Sequence, residues 1–223
     1  MKKYAVLTGD LVKSSRDKDQ RDLLLNITKN ILRNLKYSEK FFDCHVHTSN
    51  IFRGDSFQII ITNSWQSLRL SLYIRSEFLR NRKPGIDIDT RMGVGIGTIE
   101  SLDIKKIEES YGQAFQLSGE ALDYMVRRKY EKYRRLRMLT PEDELNNILD
   151  PILACLDAIS NRWTVEQAEA LSLRLIGNTQ TEMAKSLQVS QAAIQQRMKI
   201  AGYFALEQCL NLFRQLLESY YLH

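Results

Sequence analysis

Two aspartates carry the chemistry that this sequence suggests. Asp10 lies in Leu7-Thr8-Gly9-Asp10-Leu11 and Asp55 in Arg53-Gly54-Asp55-Ser56-Phe57. Each stands beside a glycine at one end of an apolar strand pattern, Tyr4 to Leu7 in the first case and Phe57 to Ile61 in the second. Two carboxylates brought together repel unless a shared proton or a cation sits between them. Oxygen-only ligation suits Mg²⁺ or Mn²⁺, and Mg²⁺ commonly takes one or two carboxylates and completes its shell with water and substrate phosphates. The pair therefore predicts metal and phosphate binding, with a nucleoside triphosphate as the third party. The competing reading is turn chemistry, because an aspartate at a strand end often caps backbone amides.

The elements that must bring the two together are legible in the hydrophobic pattern. In order, the chain reads as a strand (about 4–8), a helix (17–35), two strands (42–49 and 57–62), a second helix (65–80) and a fourth strand (88–96). That is a βαββαβ order, with Ile51 to Asp55 closing a hairpin and the helices as crossovers. In a split βαβ sheet the first strand lies antiparallel beside the third, which would set Asp10 next to the start of the third strand, where Asp55 stands. The first helix carries Leu23, Leu24, Ile27, Ile31 and Leu35 as one apolar stripe. His45 and His47 share one strand face and read as polar surface rather than a metal pair. Gly93, Gly95 and Gly97 alternate with apolar residues. They predict either a central strand that makes room for a helix or a surface where a ligand approaches the backbone. A third helix is expected from Tyr111-Gly112 to Val126, then a strand from Tyr133 to Leu139 stopped by Thr140-Pro141.

Beyond Pro141 the periodicity turns fully helical. A linker helix is expected over 141–163, with an acidic first turn, and the chain passes to its second unit near Asp150-Pro151. From Thr164 a capped helix reaches Leu175. A short helix from Gln180 to Leu187, the turn Gln188-Val189-Ser190 and a helix over 191–199 then match a helix-turn-helix, with Ala184, Leu187, Val189 and Ile194 as a small core. Thr179, Ser190, Gln191, Gln195, Gln196, Arg197 and Lys199 supply hydroxyl, amide and cationic donors suited to phosphates and base edges, so duplex DNA is the expected partner. The bland counterpart is a three-helix bundle used for dimer contacts. The last helix, with Phe204, Leu206, Leu210, Phe213, Leu216 and Leu217, has an apolar stripe wide enough to cover the bundle or a second subunit.

The whole chain bounds these readings. Its 223 residues, 43% hydrophobic and 26% charged, suffice for one larger domain and a small second one. Three cysteines, Cys44, Cys155 and Cys209, are widely spaced with no paired motif, which argues against a disulfide framework or a zinc site. No run reaches the length of a membrane span and no signal-peptide core opens the chain, so a cytoplasmic protein without membrane contact is expected. Net charge is +5, with basic residues bunched at Arg127-Arg128-Lys129, Lys132, Arg134-Arg135 and Arg137. That suits an anionic partner and equally a solvated surface.

Several of these motifs together resemble known proteins. Gly9-Asp10-Leu11, Gly54-Asp55-Ser56, Arg91-Met92-Gly93-Val94-Gly95 and Tyr111-Gly112 are similar to the palm-type core of class III nucleotide cyclases and GGDEF proteins. The sequence more closely resembles the bacterial SatD family, through Gly9-Asp10-Leu11-Val12, Arg53-Gly54-Asp55-Ser56-Phe57 and Ser118-Gly119-Glu120-Ala121-Leu122, and Thr179 to Lys199 resembles a sigma region-four helix-turn-helix. The resemblance implies an α+β fold. A ferredoxin-like palm would occupy 1–140, a linker helix 141–163, and an all-α helix-turn-helix domain with a C-terminal helix 164–223. It also implies Asp10 and Asp55 as metal ligands for Mg²⁺ or Mn²⁺, and nucleotide contacts from Gly9, Leu11, Gly54, Ser56, Arg91 and Gln116. Where cyclases place an asparagine and an arginine, this chain has Gln116 and Glu120, and a glutamate there repels a triphosphate. The reading that follows is a DNA-binding transcription regulator, homodimeric, whose palm binds a metal–nucleotide or similar phosphate ligand. The enzymatic alternative is a nucleotidyl cyclase or transferase with two metals at Asp10 and Asp55; a third reading makes both parts protein-interaction surfaces.

Overall fold

Strand β1 (Tyr4–Leu11) runs through the middle of a five-stranded sheet, because both of its faces are apolar and both of its edges are paired. The computed structural model describes residues 3–12, 18–35, 45–48, 56–86, 88–103, 106–127 and 133–221. The strand order is β2-β3-β1-β4-β5, with β2 at Val46–Thr48, β3 at Phe57–Ile61, β4 at Thr90–Gly97 and β5 at Leu136–Leu139. β1 is antiparallel to β3, with Leu7 opposite Ile59, and antiparallel to β4, with Leu7 opposite Val94. β5 adds in parallel beside β4. The first-beside-third pairing expected from the βαββαβ order is thus present.

Helices α1 (Lys18–Leu35) and α2 (Ser67–Leu79) follow β1 and β3, and α3 (Gln113–Arg127) lies across β4. The alternating glycines of β4 exist for that crossing. A Cβ on Gly95 would lie 2.0 Å from the Ala114 carbonyl oxygen, and one on Gly93 2.3 Å from that of Ser118. Of the two readings of this stretch, close helix packing is the one realised. On the other face Leu7, Leu11, Ile59, Met92 and Val94 join the buried stripe of α1, in which Leu24, Ile27, Ile31 and Leu35 are all buried.

The helix expected to be a linker is instead part of the core. α4 (Asp143–Ser160) buries Leu145, Leu149, Leu153 and Leu156 and packs on β5. It continues through Pro151 rather than breaking there. An interior proline costs about 3 kcal/mol, and four buried leucines at roughly 1.5–3 kcal/mol each outweigh it. The first turn of α4 is acidic as expected, with Asp143 and Glu144, and the Asn146 side chain bonds both the amide and the carbonyl of Thr140, at 2.8 Å each.

Four helices complete the chain: α5 (Val165–Leu175), α6 (Gln180–Leu187), α7 (Gln191–Ile200) and α8 (Tyr203–Tyr221). Thr164 with Gln167 and Thr179 with Glu182 form reciprocal capping boxes, and Ser190 accepts a bond from the Ala193 amide. Gln188 turns the chain in a left-handed conformation, φ 54°. Met183, Ala184, Ile194 and Met198 are buried between α6 and α7. α5 packs on α2, and one buried cluster runs unbroken from Ala5 to Leu217. The division expected at residue 164 therefore does not coincide with a gap in the core.

Two alanine substitutions at glycines of β4 and α3 should have opposite outcomes. Gly95→Ala should destabilise by about 3 kcal/mol or more, since backbone atoms would have to move. Gly119→Ala, in α3 with nothing within 4 Å of the added Cβ, should stabilise by about 1 kcal/mol. Urea unfolding of both measures this; equal effects would contradict the packing described.

Candidate functional site

Asp10 reaches solvent only partly, at the end of β1, and Arg91 holds it. Register sets the two directly opposite each other on β1 and β4. The guanidinium makes a two-pronged contact, Nε to Oδ1 at 3.1 Å and Nη2 to Oδ2 at 2.8 Å. Such a fork fixes a carboxylate in angle as well as position. Thr90 Oγ1 donates to the Asp10 carbonyl at 2.8 Å and pins the same strand end. Carried one residue past the Gly9–Phe57 pair, the β1–β3 register sets Ser56 opposite Asp10.

The neighbours of Asp10 have packing roles. A Cβ on Gly9 would lie 2.2 Å from the Phe57 ring, so this glycine is required by the phenylalanine that stacks on Phe78. Leu11 is 4% exposed and belongs to the core. Thr8 Oγ1 and Ser118 Oγ are 2.8 Å apart, and Gln58 donates to Thr8 at 3.3 Å, which ties β1 to α3 and β3 beside the site.

Of the residues proposed for this site, Gly9, Asp10, Leu11, Ser56 and Arg91 converge. Gln116 does not: it is exposed on α3, whose sheet-facing residues are Ala114, Ser118, Ala121 and Met125. Glu120 is exposed on the same outer side. Gly54 and Asp55 lie outside the described residues. Among the described residues no three His, Cys, Asp or Glu side chains group as a metal cluster. Asp10 supplies carboxylate oxygens, the hard donors that suit Mg²⁺ or Mn²⁺.

One residue before Thr90 begins a buried ion network. Arg75 on α2 is 2% exposed and forks onto Asp89, both contacts at 3.1 Å. It also lies 3.4 Å from Asp157 on α4 and donates to Ser160. Arg135 Nε meets Asp89 at 2.8 Å, and Arg134 Nε lies 3.4 Å from Asp157. Burial alone would push the Asp89 carboxyl up, but Arg75 and Arg135 together hold it below its ordinary range. Asp157 is pushed above that range by burial, despite Arg75 and two backbone amides. Arg137 stacks over Tyr124 with its carbon 3.3 Å from the ring centre. Three residues of the basic run are therefore turned inward rather than displayed to an anion.

The residues expected to read DNA divide. Gln195, Gln196 and Lys199 are exposed on one side of α7. Gln191 donates to Thr181 at 2.9 Å and joins α7 to α6. Thr179 and Ser190 are helix caps. Arg197 lies on the flank, 3.5 Å from Glu169 on α5 and 22% exposed, so it is not part of the outer face.

A mixed α+β sheet with crossover helices and a helical C-terminal third defines the class of the molecule. The chain belongs to the SatD family, whose sequence model matches residues 4–207. No curated protein matches the sequence. Two solved structures are similar in fold. The active GGEEF domain of a diguanylate cyclase from Vibrio cholerae is 15% identical, with 63% of this chain and 84% of that one covered and a TM-score of 0.43. A bacterial light-regulated adenylyl cyclase is 15% identical, with 61% and 74% covered and a TM-score of 0.43. No helix among the described residues is long and apolar enough to cross a membrane.

Asp89→Asn leaves Arg75 buried without its main counter-ion and should cost about 3–5 kcal/mol at pH 7. A carboxylate with a depressed folded pKa stabilises above its unfolded pKa and loses that contribution as pH falls through the folded one. The penalty should therefore shrink below about pH 4. Denaturant unfolding at several pH values measures it, and a pH-independent penalty would contradict the ionic origin. Asp157, shifted the other way, favours the fold more as pH falls and works against part of that acid loss.

Proposed function

We propose that the sheet edge at Asp10 binds the phosphates of a nucleotide through Mg²⁺ or Mn²⁺ and serves nucleotidyl cyclisation or transfer, with Asp10 and Asp55 as the two carboxylates. The observation that carries this is the forked Arg91–Asp10 pair at the end of the central strand. It holds a carboxylate in one orientation while screening its charge. Arg91, 23% exposed, is also the cation that a phosphate would meet at this edge. Glu120 faces away from the sheet, so the repulsion that its position in the sequence suggested does not act there. A divalent metal bound here would neutralise phosphate charge and polarise the phosphorus; Asp10 and Arg91 would hold and orient. Incubation with each nucleoside triphosphate and Mn²⁺ should give a chromatographically resolved product, reduced by about 100-fold or more in Asp10→Asn and about tenfold in Arg91→Lys, which keeps the charge but loses the fork. No product from the unsubstituted protein, or equal product from Asp10→Asn, would refute this reading.

A second reading is favoured by α7. A helix capped by Ser190, preceded by a three-residue turn and exposing Gln195, Gln196 and Lys199, suits the second helix of a helix-turn-helix in a major groove. On this reading a homodimeric regulator couples a phosphate ligand at the sheet edge to duplex DNA. Lys199→Ala should weaken retention of duplex DNA and lower its salt slope by about one. Salt-independent binding, or none, would remove the reader.

A further inference from the structure

The start of α2 faces α8 across a pocket of about 180 Å³, walled by Trp65, Gln66 and Arg69 on one side and Tyr203, Glu207, Asn211 and Arg214 on the other. Its charges are unevenly matched. Glu207 accepts from the Tyr203 hydroxyl at 2.8 Å and lies 3.8 Å from Arg174, while Arg214 bonds Glu218 at 2.7 Å. Arg69 has no ion-pair partner among the described residues, and its Nε is buried with no hydrogen bond. Gln66 is 3% exposed, and its amide does not cap the helix it precedes. Buried donors are almost always satisfied in native proteins, and the one unsatisfied here belongs to a guanidinium on the wall of this pocket, so an acceptor beside it is missing.

The second arginine is held ready. The Arg214 guanidinium carbon lies 4.3 Å from the centre of the Trp65 ring, and only its Nε is used by Glu218. A planar fork stacked on an indole and tethered at one nitrogen presents its remaining N–H groups in a fixed direction. The volume is below the roughly 300–1,000 Å³ of pockets that take drug-sized ligands. It excludes a whole nucleotide and admits a small oxyanion.

We propose that this pocket is a phosphate-binding site, distinct from the Asp10 edge, in which Arg69 and Arg214 take the oxyanion with help from the Gln66 and Asn211 amides. The bound group would join α2, under the sheet, to α8, at the end of the chain. Isothermal titration of the full-length protein with inorganic phosphate, at ionic strength held constant with chloride, tests it. One saturable site of millimolar order is expected. Arg69→Gln should weaken it at least about tenfold, while Asp10→Asn and the surface control Arg33→Gln bind as the unsubstituted protein does. Circular dichroism confirms that each variant is folded; if Arg69→Gln is not, Arg214→Gln provides the same test. Absence of saturable heat, or unchanged binding in a folded Arg69→Gln or Arg214→Gln, would overturn the proposal, and loss of binding in Asp10→Asn would move the site to the sheet edge.

Discussion

A fully buried guanidinium is the constraint on which the rest of this molecule depends. Arg75, 2% exposed, is tolerable only because Asp89, Asp157, Ser160 and Asn161 surround it with acceptors. Those acceptors come from three places: the residue before β4, the last turns of α4 and the cap that follows. β5 enters beside them through Arg134 and Arg135. The cost of leaving any of these charges alone forces α2, β4, β5 and α4 into one relative arrangement. The two aspartates share this task unequally. Asp89 is held ionised by two arginines, whereas at Asp157 burial outweighs the pull of its arginines, and the carboxyl also accepts from the amides of Arg135 and Leu136.

This arrangement reaches the sheet edge directly. Asp89 and Arg91 flank Thr90, so the segment anchored by Arg75 is also the one that presents the guanidinium to Asp10. It also reaches the C-terminal helices. α5 lies on α2, Arg80 donates to Ser172, the Trp163 indole donates to the Ala201 carbonyl, and the Tyr221 hydroxyl donates to Glu142. The face of α7 and the edge at Asp10 are therefore parts of one packed body rather than two units on a flexible tether.

Much of the architecture was legible in the pattern of apolar residues. Period-two and period-3.6 stretches located the strands and helices, the βαββαβ order implied β1 beside β3, and Thr164 marked a helix start that is capped as expected. Pairings between distant residues were not legible. Arg91 meets Asp10 only through the β1–β4 register, and Arg75 meets Asp157 across 82 residues of chain. A run of arginines looks the same in sequence whether it faces water or buried aspartates, which is why Arg134 and Arg135 read as an anionic-partner surface. Gln116 has the right spacing after Tyr111-Gly112 but the wrong helix face, and Arg197 stands at a reading helix yet bends toward Glu169. Both are questions of azimuth that a motif does not contain. Pro151 suggested a boundary because its local cost is visible in sequence and the leucines that offset it bury against a strand that is not adjacent.

The buried network and the continuous core make the sheet and the C-terminal helices one cooperative unit. Scanning calorimetry of the full-length protein tests it most directly. The account predicts a single transition whose calorimetric and van't Hoff enthalpies agree. Two separable transitions, with the helices after residue 164 melting apart from the sheet, would contradict it.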